Sequence, residues 1–442
     1  MSRRLRAAGS AAAVALAALT LAPAALAHAR PLETTPANGA VLAAAPREVV
    51  VRFDAAVVAA SGAAAIRNGG GSVLAGPERA AGRTAVLPLE PGLADGDYTV
   101  RWRVLGDDGH LLEGLVAFAV GEGRPPPTPA LELLGSGPRW GFVLSRWLFL
   151  LGTLLAFGAV SFRLFVLRGC RSELEGPYLV SLSAAFTVAL TGAGLSVVAV
   201  PDALDTRFGK MAVAGIAIAA AGAALAEVAR SLRRLPLAAA PAAIALVAAA
   251  TAGSHALDPV SLRPLGIAVD LVHIGAAGLW IGGLVQLALV LRLLERDERA
   301  RMLQRFAVLA TAGVALVGAT GIGRAAFGLS SVQQAWETGY GRVLLVKTGL
   351  LAAALVFGIL TRRRLAARAG AAPGEGAEPG AAPSQRRRRD RIRLTLGAEL
   401  LLVAGVVAAV AVAGDLRPGR SVSTPVPPAA ASPAPPPAPV VR

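Results

Sequence analysis

The chain has 442 residues, 55% of them hydrophobic and only 16% charged, with 50 Gly, 30 Pro and a formal net charge of +16. That balance excludes an ordinary soluble protein, and with aromatics at only 5% the apolar excess is Ala, Val and Leu in long runs that suit helices in lipid. The arginines stand in short clusters between apolar runs instead of along one basic face, so membrane topology accounts for the charge and nucleic acid is excluded as a partner.

Taken in chain order, Arg3, Arg4 and Arg6 precede an apolar stretch from Ala11 to Leu21 and the small-residue triplet Ala25-Leu26-Ala27. This predicts a secretory signal peptide over 1–27, too short to span and interrupted by Pro23. The mature chain would then begin at His28, although a cut after Ala29 also satisfies the small-residue rule and would discard that histidine. From 28 to 121 the texture changes. Alternating runs such as Val49-Val50-Val51-Arg52-Phe53 and Tyr98 to Val104 are separated by Gly, Pro, Asn and Asp, which predicts a small all-β sandwich or barrel. Eight arginines against eleven carboxylates between His28 and Gly123 make it mildly acidic. A Pro-rich linker, 122–139, follows as a stiff spacer.

The remainder, 140–415, reads as an all-α polytopic membrane bundle of about eight transmembrane helices, at 142–162, 178–200, 210–229, 235–255, 265–291, 306–323, 343–361 and 394–413. If the β domain is exported, the loops after the first, third, fifth and seventh helices are cytoplasmic. These are the arginine-rich ones: Arg163, Arg168 and Arg171; Arg230, Arg233 and Arg234; Arg292 to Arg305; and the basic loop 362–393 with Arg386 to Arg389. The opposite loops carry few cations: Arg207, Lys210, Arg263, Arg324 and Arg342. Signal peptide and positive-inside bias thus predict the same placement, a multi-pass protein of the cytoplasmic membrane with its N-terminal domain outside. The Pro/Ala tail, 416–442, is expected to be disordered.

One cysteine, Cys170, rules out an internal disulfide or a Cys-based metal cluster. The four histidines are more informative. His28 and His110 fall in the exported domain, and His255 and His273 near the outer ends of the fourth and fifth helices. A mature N-terminal histidine offers its α-amine and a ring nitrogen to one metal. In an extended stretch Asp108 and His110 project to one face, and nitrogen and carboxylate ligands in tetragonal geometry select Cu(II). Taken alone, Asp108-Gly109-His110 reads better as a turn cap, with His28 an arbitrary first residue.

The segments HARPLETTPANGAVLAAAPREVVVRF and DYTVRWRVLGDDGHLLEGLVAFAVG, with the Pro36 to Gly39 turn and the W-R-x-x-x-x-D-G-H block, resemble the CopC family of periplasmic copper-binding proteins. The resemblance implies a Cu(II) site of His28, Asp108 and His110. The only methionines are Met1, Met211 and Met302, so the thioether Cu(I) site of some members is absent from the exported domain. The membrane part resembles the CopD family at Gly253-Ser254-His255-Ala256, at Asp270-x-x-His273 through Trp280-Ile281-Gly282-Gly283, at Arg305-Phe306 and Thr320-Gly321, and at Tyr340-Gly341-Arg342 through Lys347. The chain is thus expected to be a CopC–CopD fusion.

Asp270 and His273, three apart, share a helix face with Trp280 further along it. Ionisable groups within a span are costly and mark ion paths, so His255, Asp270 and His273 form a candidate copper intake site. The plainer reading is that Asp270 and His273 bond to each other or to interfacial water. Lys347 is expected to snorkel outward and Glu399 to sit near the inner interface. With no P-loop or other ATP motif, the chain is read as a copper-binding and transport protein whose partners are the copper ion and the lipid bilayer, and not as an enzyme. The alternative is a membrane redox enzyme using haem on His255 and His273, or an oxygen-activating copper. Copper chaperones and oligomeric state are left unassigned.

Overall fold

The computed structural model describes residues 29–107, 109, 111–130, 133, 139–168, 172–233, 235–253, 263–291, 293–294, 296–329, 331–369 and 382–416. Expectations for the signal peptide, His28, Asp108, His110, Cys170, His255 and the tail from 417 lie outside these residues. The chain divides into two compact units, and the described residues up to 133 fall in one and those from 139 in the other.

The first unit is a sandwich of two sheets. Its strands are β1 (Pro31–Thr35), β2 (Ala40–Leu42), β3 (Glu48–Phe53), β4 (Val57–Ala59), β5 (Ala64–Arg67), β6 (Arg79–Ala81), β7 (Thr84–Pro88), β8 (Gly96–Gly106) and β9 (Leu111–Val120). One sheet runs β1-β3-β7-β6, the other β2-β9-β8-β4, with β5 also pairing β8. The period of two in the sequence fixes the inner face. Val49, Val51 and Phe53 of β3 and Tyr98, Val100, Trp102 and Val104 of β8 are buried in one core. Phe53 meets Trp102 edge to face at 5.3 Å across the sheets.

β4 and β5 cover the same edge of β8 but leave a gap. β4 pairs with Val104 to Gly106 and β5 with Tyr98 to Arg101. In the gap the Arg103 amide donates to Oε2 of Glu78 at 3.0 Å. Glu78 is 8% exposed, and its Oε1 has no hydrogen-bond partner. Burial pushes this carboxyl up to about 7, against the opposing pull of the Arg103 amide and guanidinium.

The second unit is helical: α1 (Trp140–Phe165), α2 (Glu175–Ala199), α3 (Arg207–Leu232), α4 (Ala240–Ala252), α5 (Arg263–Val290), α6 (Arg296–Gly328), the short α7 (Gln334–Glu337), α8 (Gly339–Ala369) and α9 (Ala382–Ala413). Among the described residues six helices are long and apolar enough to cross a membrane. The expected count of about eight is not confirmed: among the described residues the fourth apolar run forms the shorter helix Ala240–Ala252, and the eighth lies in α9, where Gly397–Ala413 is apolar. At 1.5 Å per residue, thirteen residues reach only about 20 Å of the roughly 30 Å hydrocarbon core.

Close helix contact relies on small residues, as expected where lipid supplies no hydrophobic drive. A Cβ on Gly282 of α5 would lie 2.4 Å from the Leu154 carbonyl oxygen and 2.8 Å from Cα of Gly158 on α1, so only glycine lets these two backbones approach so closely. Polar residues tie helix ends. Arg305 of α6, expected in a loop, donates to the carbonyls of Val166 at 3.1 Å and Arg168 at 2.9 Å just beyond α1. The amide of Arg139, which caps α1, donates to Asp415 Oδ2 at 2.7 Å, and its guanidinium to Oδ1 at 2.8 Å. Asp415 thus supplies the carboxylate that the start of α1 lacks, since Arg139 offers no side-chain cap of its own. Glu399 is buried at 4% exposure, with Oε1 3.0 Å from the point a Cβ on Gly358 of α8 would occupy.

Candidate metal site

α5 and α6 pack side by side, and the sequence makes this possible at Gly313, where a Cβ would stand 3.0 Å from the Ala276 carbonyl oxygen and 3.4 Å from Cβ of Trp280. Toward the other end of the pair the same contact seam becomes polar. Asp270 and His273 project from α5, one turn apart as their spacing predicts, with 1% and 9% exposure. Thr320 and Arg324 face them from α6, also one turn apart. Arg324 forms an ion pair with Asp270 through Nη1 and Oδ1. His273 Nδ1 and Thr320 Oγ1 are 2.9 Å apart. Gly321 lies beside the ring, and a Cβ there would be 3.8 Å from His273 Cε1, an ordinary contact.

α8 adds two more groups. Tyr340 and Lys347 each act electrostatically on Arg324, and Lys347 acts on His273 as well. Lys347, expected to snorkel outward, is half-buried and lies close enough to act on both groups. Arg324, read from the sequence as a loop cation, is a helical residue whose charge is paired in the bundle. Its position four residues beyond Thr320 carried a signal, because an arginine at a span's end on the threonine's own helix face is placed to meet a carboxylate of the next helix. Thr320 itself has no charge to betray it.

The cluster is a partial donor set for copper. His273 supplies one imidazole. The Asp270 carboxylate is engaged by Arg324, and two cations stand against one carboxylate. Among the described residues no group of three or more His, Cys, Asp and Glu converges on a metal position. His255, the other expected member, lies outside the described residues; Gly253, two before it, ends the described part of that segment.

In the β unit, His28, Asp108 and His110 are likewise outside the described residues, but their neighbours are placed. Ala29 is 3% exposed and belongs to the sandwich core. The Arg30 amide donates to Asp54 Oδ1 at 2.6 Å, and the Asp54 amide returns a bond to the Arg30 carbonyl at 3.0 Å. Three residues beyond Asp54, Val57 pairs with Gly106, the last residue of β8. The register thus brings Arg30 and Gly106 to the same end of the sandwich. Beyond Gly106 the chain does not stay extended. Gly109 has φ +77° and its amide closes a turn on the Gly106 carbonyl at 2.9 Å. Glycine is the residue that adopts this left-handed conformation without strain, and Asp108 and His110 on either side of it lie outside the described residues.

Comparison with known proteins fits both halves. Residues 32–121 match the CopC domain family, and residues 300–413 match the family described as copper resistance protein D, CopD. The second match contains Thr320, Arg324, Tyr340 and Lys347, and α5 precedes it. A curated relative, the copper transport protein CutJ of Bacillus subtilis, is 32% identical over 127 residues, which is 27% of this chain and 23% of that protein. The chain therefore matches about a quarter of that relative's length. The crystal structure of CopC from Methylosinus trichosporium is 30% identical over 22% of this chain and 97% of its own, with a TM-score of 0.20. Residues 32–121 are a CopC domain and residues 300–413 a CopD domain, joined in one polypeptide.

Proposed function

We propose that this protein captures Cu(II) outside the cytoplasmic membrane and passes it to its helical unit for movement inward, serving copper uptake, homeostasis and resistance. The observation that carries the reading is the fusion itself: a CopC domain and a CopD domain share one chain, so capture and membrane passage are covalently coupled. The relative named for copper transport supports the same direction of thought. Cu(II) is held by His28, Asp108 and His110. Support comes from the register that brings Arg30 and Gly106 to one end of the sandwich and from the nitrogen and carboxylate donor chemistry.

In the membrane, His273 and His255 receive copper. Asp270 serves as the counter-ion of Arg324 and keeps that guanidinium away from the imidazole, a supporting role instead of direct ligation. The β unit faces outward, consistent with the arginine distribution.

Electron paramagnetic resonance of Cu(II) bound to the full chain in detergent tests the capture site. Nitrogen hyperfine structure that is lost in His28→Ala supports it, and an unchanged spectrum removes His28 from the site. Cellular copper content tests the direction. A strain lacking the protein should hold less copper, and a rise would reverse the assignment.

A further inference from the structure

We infer that Thr320 is a positioning residue that holds His273 with its proton on Nδ1, so that Nε2 is the nitrogen this helix pair presents to copper. The inference rests on the reading above in which His273 touches copper, and it adds which atom does so and what fixes it.

The argument is a count of protons. A threonine hydroxyl has one hydrogen to donate and lone pairs to accept with. Thr320 lies within α6, and its Oγ1 donates back to the Leu316 carbonyl, one turn earlier. That back-bond is common for threonine in a helix and it sets the side-chain rotamer. With its hydrogen committed, Oγ1 can only accept from His273. The 2.9 Å contact to Nδ1 therefore requires the hydrogen on Nδ1, and in the neutral ring the lone pair then resides on Nε2.

Two further features hold the ring in this pose. His273 is 9% exposed, so water competes little for Nδ1. Gly313 draws α5 and α6 together further along, which fixes the distance between the two side chains. Metal-bound histidines commonly give their second nitrogen to an oriented acceptor, and losing that acceptor weakens metal binding about 10- to 100-fold. Here the acceptor is a hydroxyl whose own direction is fixed by its helix.

The test uses the purified full chain in detergent, in a His28→Ala, His110→Ala background that removes the exported site. Cu(II) affinity is measured by competition with a chromophoric chelator, together with nitrogen hyperfine structure and the unfolding midpoint. Thr320→Val and Thr320→Ala are expected to weaken binding about tenfold or more, whereas Thr320→Ser, which keeps the hydroxyl, restores it. A merely structural role would move the unfolding midpoint and give no rescue specific to serine. Should one hydroxyl-free variant fail to fold, the other carries the comparison. If Ala, Val and Ser at position 320 all bind as the parent does while His273→Ala loses the metal, the inference fails and the reading of His273 stands. If His273→Ala binds undiminished, His273 is not a ligand and both fall.

Discussion

Replacing Arg324 by methionine would leave the Asp270 carboxylate at 1% exposure without its cation. Breaking a fully buried pair from one side costs about 3–5 kcal/mol, because the remaining charge is stranded away from water. One third of the Arg324 side chain, 34%, is accessible, so the cost is discounted to about 2–3 kcal/mol. The reverse substitution, Asp270→Asn, should be milder, since the arginine is one-third accessible and the carboxylate is buried. Combining the two should recover about 1 kcal/mol or more relative to the sum of the singles. For a helical unit of this size Arg324→Met predicts a fall in the unfolding midpoint of roughly 5–10 °C, read by thermal melts of the full chain in detergent. Equal losses for both singles with strict additivity in the double variant would refute the account of Asp270 as a carboxylate held by Arg324.

Gly282→Ala should destabilise the helical unit by about 1–3 kcal/mol, because its Cβ meets backbone atoms of α1. Gly318→Ala, whose Cβ meets nothing within 4 Å, should be tolerated; paired melts of the two variants check this. The raised Glu78 carboxyl makes the β unit most stable when that group is protonated. Its contribution is whole below about pH 4.5, drains away as pH climbs to about 7, and amounts to about 3 kcal/mol. Glu78→Gln should flatten this dependence, as measured by hydrogen exchange at the Arg103 amide between pH 5 and 8. Asp415→Ala removes the bonds to Arg139 and should cost about 1–3 kcal/mol, visible as faster amide exchange in the first turn of α1.

Much of the architecture was legible because it follows from periodicity. The run Val49 to Phe53 falls within β3 and Tyr98 to Val104 within β8, and most apolar runs became helices within a few residues of their expected limits. β4 and β6, three residues each, are too short to carry a pattern. The helix ends were harder to read, since hydropathy stops at the first charge while the backbone does not. α6 runs to Gly328 and takes in Arg324, which moves that residue from a loop to an ion pair.

Asp270 and His273 stood out as ionisable groups inside a span. Their partners did not, because Thr320 and Arg324 are 47 and 54 residues away and meet them only once the rotation of α5 against α6 is known. Asp108 and His110 flank Gly109, whose left-handed backbone closes a turn on Gly106, and spacing alone does not single them out. For these two the resemblance to CopC, not the spacing, identified the candidates.

The carboxylate of Asp415 grips the amide that opens α1, so the polypeptide enters and leaves the bundle through a single face. A thread that exits by the side it came in from has traversed the bilayer an even number of times. Six passes obey that parity and eight would too, whereas seven would not. A peptide tag grafted behind Asp415 should therefore meet the same compartment, and the same added protease, as one inserted ahead of Arg139.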